Sequence, residues 1–438
     1  MSLLRAEGFS GNSLLNSVFC SMFLVACTTA PAPPTAGTGA AEGSSATTGT
    51  EATPEAGPGA GRPTDSAQPV NEASSPAEGS DGSGAAADSD AAVGSGDSPA
   101  QQVPDTAIAA AGAGISAADI LLPDGTIRPL TDAQRAIFWS FGEDAEPEVL
   151  DTVMEENEGQ HFLYSDELHL YNFQPRMADL GGMYVGVGSD QAYLFIGWQK
   201  PTLAVLADYD PWISALHRSY LAFFERAETR DAFRTWWSPD SVDLAQQTLR
   251  EEYAGRDDLD LILSVYRTAR GQVNRRLGAI SRMGSITPTF MSDDTQFSYV
   301  RNLILAGRVR PVVGNLLDSP GYINIGETAR QLGVPVRNVY TSNAEDYWGY
   351  SAQFRDNMRA LPFDEQSIIT RTRATKPRNQ DYRYQQQPAL NFVRWLDSGT
   401  RSCRTMWGYA SVREDEFPIT WFTEEPEVAA ADGSANAE

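Results

Sequence analysis

The sequence contains little cysteine, almost no lysine and, between residues 28 and 114, almost no large apolar side chains. Nearly every residue of that stretch is Ala, Gly, Ser, Thr, Pro, Asp or Glu. Such a segment has too little apolar surface to offset the entropy of ordering it, so we predict a disordered tether at 28–114. All nine tryptophans and all sixteen tyrosines follow it. We therefore predict one globular domain at 115–423 and a disordered acidic tail at 424–438.

The scarcity of cysteine and histidine limits the chemistry of the chain. The three cysteines, Cys20, Cys27 and Cys403, provide neither a disulfide framework nor a CxxC metal pair. His161 and His169 lack the spacing of metal ligands, so we predict no metal cofactor. The sequence also lacks the GxSxG, Walker A and HExxH patterns of serine hydrolases, P-loop nucleotide hydrolases and zinc proteases.

The charge balance is strongly acidic. Asp and Glu total 58 against 33 Lys and Arg, which gives a formal net charge of −25. Binding to the phosphate backbone of nucleic acids requires a basic surface, so we predict that DNA and RNA are not partners. The acidic runs are interpreted as solubilising.

An apolar run at 13–26 is too short to span a bilayer as a stable helix. Its last three residues and Cys27 read LVAC, which resembles the bacterial lipobox. The resemblance implies a signal peptide at 1–27, lipidation of Cys27 and attachment to a membrane of the cell envelope. Thr28 and Thr29 follow Cys27, in place of the aspartate that retains many bacterial lipoproteins in the inner membrane, so the resemblance favours the outer membrane. The alternative is a chance apolar start on a cytoplasmic protein.

Beyond residue 130, short apolar runs alternate with segments of helical periodicity. Strands are predicted at 183–188, 203–207, 309–314, 336–341 and 367–372, and further edge strands at 392–396, 405–409 and 419–422. Only helical periodicity occurs between residues 210 and 307. Strands joined by helical crossovers predict a doubly wound, mostly parallel, Rossmann-like α/β sheet with an α-helical insertion at 210–307, between the second and third strands.

Three predicted strand ends carry groups suited to a ligand. The first strand leads into Gly186 and Gly188, and Asp190 follows them. Glycines at such a position let the backbone approach a ligand closely. Asp208 ends the second strand, where a carboxylate can accept both hydroxyls of a ribose. Asn315 follows the third strand. In doubly wound sheets ligands bind at the carboxyl ends of the strands, so these residues are predicted to form one small-molecule site.

The segments VGVGSDQ, LAVLADYDP, RPVVGNLLD, VYTSNAEDYW and NMRALPFDEQSIITRTR resemble a family of uncharacterised bacterial lipoproteins related to class I S-adenosylmethionine-dependent methyltransferases. The resemblance implies that Gly186 and Gly188 contact the methionine part of that cofactor, Asp208 its ribose and Asn315 its adenine. Met183 and Tyr184 stand where the family usually has the acidic residue that opens the glycine motif.

The end of the fourth predicted strand supplies Asn343 and Glu345 as candidates for positioning a substrate; alternatively Asn343 caps the next helix. The basic stretch from Arg371 to Arg383 is interpreted as a solvated loop, with an anion-binding role as the alternative. Two functions remain open: a methyltransferase that uses S-adenosylmethionine, or a non-catalytic envelope module that binds a metabolite, a glycan or a protein. The sequence leaves the oligomeric state open.

Overall fold

A computed structural model describes residues 114–116, 120–148, 150, 159–374, 381–407 and 419–426. All of these belong to one compact unit, Asp97–Glu438. The predicted signal peptide with Cys27, all but the last residue of the tether and most of the tail lie outside the described residues. Within the described part, no helix is both long and apolar enough to cross a membrane.

The centre of the domain is a seven-stranded sheet with the order β3-β2-β1-β4-β5-β6-β7. The strands are β1 Met183–Gly186, β2 Leu203–Asp208, β3 Val309–Val313, β4 Val336–Tyr340, β5 Ile368–Ala374, β6 Tyr382–Pro388 and β7 Ile419–Trp421. Strands β1 to β5 are parallel, β6 runs antiparallel to β5, and β7 runs parallel to β6. The prediction of a mixed α/β fold with a mostly parallel sheet is confirmed, and the arrangement is compatible with a Rossmann-like fold.

Helices cover both faces of this sheet. They are α1 Asp132–Ser140, α2 Gln174–Met177, α3 Gln191–Gln199, α4 Pro211–Arg226, α5 Arg230–Thr235, α6 Val242–Glu252, α7 Leu259–Met283, α8 Asp294–Leu305, α9 Gly321–Gln331, α10 Ala352–Ala360, α11 Ala389–Asp397 and α12 Cys403–Trp407. One apolar core joins the sheet to α3 and to α4–α8, and a second joins it to α1 and α9–α11. Because apolar helices pack on both faces, the central strands are buried on both sides and read as continuous apolar runs.

Local sequence signals start several of these helices. Thr131 and Gln134 form a capping box at α1, with each side chain bonded to the other residue's backbone N–H. Asp210 caps α4 through the N–H of Trp212, and Pro211 occupies the first helical position, where no N–H is needed. These caps place the start of α4 directly beyond the carboxyl end of β2.

The predictions for the C-terminal region were partly wrong. The segments 392–396 and 405–409 were predicted as edge strands, but α11 covers the first and α12 covers residues 405–407 of the second. Residues 408 and 409 lie outside the described part of the chain. The apolar residues of α11 recur at helical spacing, so Ala389, Phe392 and Leu396 are buried together. The strand predicted at 419–422 corresponds to β7.

The solvated loop predicted from Arg371 onward was also wrong where the structure describes it. Residues 371–374 belong to β5, which pairs with β6, and the guanidinium of Arg371 is buried over the ring of Phe392. Short-range patterns did not show this pairing, because the two antiparallel strands are separated by basic and polar residues.

Candidate functional site

Three of the predicted ligand groups lie on neighbouring strands at one edge of the sheet. In the parallel register Gly186 lies beside Leu206, and Asp208 beside Val313. The glycine loop after β1, Asp208 and the turn containing Asn315 are therefore adjacent. Strand order reverses at β1, which pairs with β2 on one side and β4 on the other. That reversal is where open α/β sheets form a ligand crevice.

The glycine loop is held in a conformation that favours glycine. Gly188 has a φ of +81°, its N–H donates to Oδ2 of Asp208 at 2.7 Å, and its carbonyl oxygen lies 2.8 Å from Nε2 of His217. Burial lowers the pKa of His217 to about 4, so the imidazole is neutral near pH 7. A neutral ring that donates from Nε2 must accept at Nδ1, where the hydroxyl of Tyr193 lies at 3.0 Å.

Asp208 is a partly exposed residue at this edge, and its carboxyl group is largely buried. Its Oδ1 accepts the N–H of Asp210 at 3.0 Å, while Oδ2 accepts that of Gly188. Burial raises its pKa to about 7, although these two hydrogen bonds act in the opposite direction. Near neutral pH the group therefore exists both as a carboxylate and as an acid.

Asp190, predicted as a ligand contact, lies in a buried ion pair. Its Oδ2 accepts Nε of Arg276 in α7 at 2.8 Å, and its Oδ1 accepts the N–H of Ser165 at 2.8 Å. Both oxygens thus have partners within the protein, and the side chain connects α7 to the segment that precedes β1.

The turn after β3 is held by Asp144, an acid that no sequence motif indicated. Asp144 accepts the N–H groups of Asn315 at 2.8 Å and Gly321 at 2.7 Å. The amide oxygen of Asn315 accepts the N–H of Leu317 at 2.9 Å, which leaves its amide nitrogen as the group that can donate to a ligand. Asp144 lies far from Asn315 in sequence, so no local motif indicated it.

The two candidates after β4 have different surroundings. Asn343 is partly exposed, and its Nδ2 donates to the hydroxyl of Tyr347 at 3.1 Å. Glu345 is buried, accepts the hydroxyl of Thr341 at 2.7 Å and forms an ion pair with Arg371 at 3.3 Å. Asn343 can therefore contact a ligand from solvent, whereas Glu345 is directed into the core.

An extended segment at 161–169, here called the strap, crosses the carboxyl ends of the strands. His161 pairs with Asp210 at 2.9 Å near β2, and His169 bonds to Asp381 near β6. Between them Glu167 is buried, and its carboxylate accepts hydroxyl donors at the ends of β4 and β5. These donors are Tyr340, Ser342 at 3.0 Å and Thr372 at 3.0 Å.

Burial raises the pKa of Glu167, and the hydroxyl donors oppose that shift. No sequence motif indicated Glu167, because its donors come from distant parts of the chain. Burial alternates along the strap, where Leu163, Ser165 and Glu167 are buried. The sequence does not show this alternation, because Phe162, Tyr164 and Leu168 are exposed although their side chains are apolar or aromatic.

A separate surface cavity of about 420 Å³ lies at the opposite, amino-terminal edge of the sheet. It is lined by Arg176, Asp179, Gln366 and Trp421, among others, and the guanidinium of Arg176 stacks on the Trp421 ring at 4.2 Å. None of the predicted site residues contributes to it. It is therefore distinct from the polar cluster at the carboxyl ends of β1 to β3.

These features define a mostly parallel α/β domain with a cluster of polar groups at its strand-order reversal. The chain belongs to the family described as a domain of unknown function (DUF7790), whose model matches residues 162–418. That range begins in the strap and contains β1 through β6. No curated protein matches the chain.

One solved structure with some similarity is the rRNA methyltransferase aviRa from Streptomyces viridochromogenes. It shares 14% sequence identity, covering 47% of this chain and 72% of that one, with a TM-score of 0.22. The fold assignment above therefore depends on the strand order and pairing of this chain.

Proposed function

We propose that this domain binds an adenosyl compound, with S-adenosylmethionine as the first candidate, at the carboxyl ends of β1, β2 and β3. The observation that carries the proposal is the hydrogen bond from the N–H of Gly188 to Asp208 at the strand-order reversal. It brings a left-handed glycine turn and a partly exposed acid together where doubly wound sheets bind nucleotides.

The residues of the crevice fit such a group. A Cβ on Gly188 would lie 1.9 Å from the side-chain nitrogen of Gln191, so a larger residue would both strain the turn and fill it. The Asp208 carboxylate has further lone pairs for a ribose diol besides those used by the two N–H groups. Gly186 and Gly188 would lie along the methionine part, and the amide nitrogen of Asn315 would face the adenine.

When bound, S-adenosylmethionine supplies an activated methyl group. The chain's own contribution would be positioning, because holding the reactants in the correct geometry provides much of the rate of a bimolecular reaction. Asn343 lies at the end of β4, beside the reversal, and is the candidate to orient an acceptor.

A second candidate function is a binding module without catalysis. Two of the acids proposed from sequence, Asp190 and Glu345, have Arg276 and Arg371 as buried partners. Neither is therefore placed to exchange protons with a substrate. This observation favours ligand binding over acid–base chemistry at this crevice.

Calorimetry with S-adenosylmethionine and S-adenosylhomocysteine tests the proposal. Hydrogen bonds to a charged group contribute about 1.5–3 kcal/mol, so Asp208→Ala should weaken binding about 10- to 150-fold. Asp243→Ala, an exposed acid in the first turn of α6, is the matched control and should leave the affinity unchanged. Absence of binding by the wild type at millimolar ligand contradicts the proposal. Tight binding with no methyl transfer to any acceptor favours the second candidate.

We also propose that Cys27 is lipidated and anchors the domain to a membrane of the cell envelope. The support is the LVAC sequence alone. Radiolabelled palmitate should be incorporated into the wild-type protein in bacterial cells and not into Cys27→Ser. Equal labelling of both proteins would exclude the anchor.

A further inference from the structure

We propose that the phenol groups of Tyr184 and Tyr322 are hydrogen-bond donors to the ligand of this crevice, and that they make it specific for a ribonucleoside. In such a ligand the diol hydroxyls donate to Asp208, while the ribose oxygens accept from the phenols. The inference rests on the proposed function and extends it to two residues outside the glycine and strand-end motifs.

Tyr184 lies in β1, two residues before the glycine loop begins. Its side chain is fully buried and runs along the sheet toward the carboxyl end. The hydroxyl oxygen lies 2.1 Å from the position that a Cβ on Gly186 would occupy. Among the described residues this hydroxyl has no hydrogen-bond partner. Glycine at 186 therefore leaves room for a buried donor at the last residue of β1.

Tyr322 reaches the same edge from the other face of the sheet. It lies in the first turn of α9, and its ring atom Cε2 is 3.7 Å from the position of a Cβ on Gly314, directly after β3. The side chain is fully buried, and its hydroxyl also lacks a partner within the described part of the chain. Burial raises the pKa of Tyr322, and the charge of Asp208 raises it further.

The buried phenols beside β4, β5 and β6 have hydrogen-bond partners within the protein. Tyr340 donates to Glu167, Tyr350 donates to Glu345, and Tyr384 donates to Asp381. Partners within the protein thus satisfy the buried phenols beside β4 to β6, whereas those beside β1 and β3 have none. A buried polar group without a partner costs free energy and is uncommon in native proteins. A ligand that supplies acceptor oxygens accounts for two such groups at one crevice.

The test measures the melting temperature and the ligand affinity of Tyr184→Phe and Tyr322→Phe. Removing a hydroxyl that lacks a partner should raise the melting temperature of the ligand-free protein, by about 2–4 °C. The same change should weaken the binding of S-adenosylhomocysteine roughly 3- to 10-fold, because one hydrogen bond to the ligand is lost. A purely structural hydroxyl would lower the melting temperature and leave the affinity unchanged.

Two matched variants control for these effects. The hydroxyl of Tyr299 donates to the carbonyl of Pro201 at 3.0 Å, so Tyr299→Phe should lower the melting temperature without changing the affinity. The buried hydroxyl of Ser219 in α4 has no partner among the described residues, so Ser219→Ala should raise the melting temperature without changing the affinity.

The outcomes separate the two proposals. If the wild type binds S-adenosylhomocysteine and both phenylalanine variants bind it equally well, the phenols are not ligand donors and the inference is wrong. A fall in ligand-free stability, or failure of either variant to fold, would show an internal role for that phenol and would also overturn it. If the wild type binds no adenosyl compound, the proposed function itself fails.

Discussion

The two halves of this edge of the sheet both contain acids and tyrosines, but these side chains differ in exposure and in their hydrogen-bond partners. Along β1 to β3, Asp208 is partly exposed, Gly188 adopts a positive φ, and the phenols of Tyr184 and Tyr322 lack partners among the described residues. Along β4 to β6, the acids have hydrogen-bond partners within the protein. Glu345 pairs with Arg371, and Glu167 of the strap accepts the hydroxyls of Tyr340, Ser342 and Thr372. Polar residues at strand ends therefore do not by themselves indicate a ligand site. For the phenols, what separates the halves is whether protein groups already satisfy them. Asp190, directly after β1, is satisfied by Arg276 and Ser165 and shows that the difference does not extend to every acid.

The largest expected effect tests the β4 to β6 half. Glu345→Ala leaves the buried guanidinium of Arg371 without its ion-pair partner, and breaking a buried pair in this way costs about 3–5 kcal/mol of stability. Urea unfolding followed by fluorescence should show this loss, while the affinity of the remaining folded protein for an adenosyl ligand stays unchanged.

Asp356→Ala, an exposed acid of α10 paired with Arg359, is the control and should cost less than about 1 kcal/mol. The double variant Glu345→Met with Arg371→Met should recover much of the lost stability, because it removes both charges together. A strong loss of ligand affinity in Glu345→Ala, without a loss of stability, would assign this acid to the site and contradict the comparison.

The sequence predicted β1 to β5 and the adjacency of Gly188, Asp208 and Asn315, because these depend on short apolar runs and on the residues that directly follow them. It did not predict β6, the strap or the partner of Asp190. Those depend on pairings such as Arg276 with Asp190 and Glu167 with Tyr340, which join residues far apart in the chain. A carboxylate in a sequence looks the same whether it faces a ligand or a buried guanidinium, so Asp208 was predicted to bind a ribose and Glu345 to position a substrate, although only Glu345 pairs with a buried arginine.

A smaller loss of stability is expected on substitution of His217, a buried residue whose ring contacts the glycine loop after β1. His217→Leu roughly keeps the volume but leaves the Gly188 carbonyl and the Tyr193 hydroxyl without their shared partner. The loss should be about 1–3 kcal/mol of stability. Ligand affinity should also fall, because Gly188 would lose the contact that fixes its carbonyl.

The pH dependence of His217 adds a direct measurement. Because burial depresses its pKa from 6.5 to about 4, its contribution to stability is present above pH 6.5 and is lost as the pH falls toward 4. NMR of the imidazole nitrogens should show a neutral ring between pH 5 and pH 8. Titration of that ring near pH 6.5 would mean that the glycine loop is not held as described.

The smallest effect concerns the protonation of Asp208. Burial raises its pKa from 3.8 to about 7, so the proton on this group stabilises the ligand-free fold at low pH, and that contribution is lost as the pH rises through 7. Hydroxyl groups of a ribose donate to the carboxylate, so binding selects the ionised form. With a pKa near 7, about a tenth of the protein is ionised at this group at pH 6 and about nine tenths at pH 8. Affinity should therefore increase roughly 10-fold between those pH values, with release of a proton that calorimetry in buffers of different ionisation enthalpy would detect.

Asp208→Asn keeps the size of the side chain without its charge and should remove both the pH dependence and the proton release. Affinity that is independent of pH in the wild type, or a pH dependence that persists in Asp208→Asn, would place the ligand away from the β1 to β3 half and remove the functional difference between the two halves of the edge.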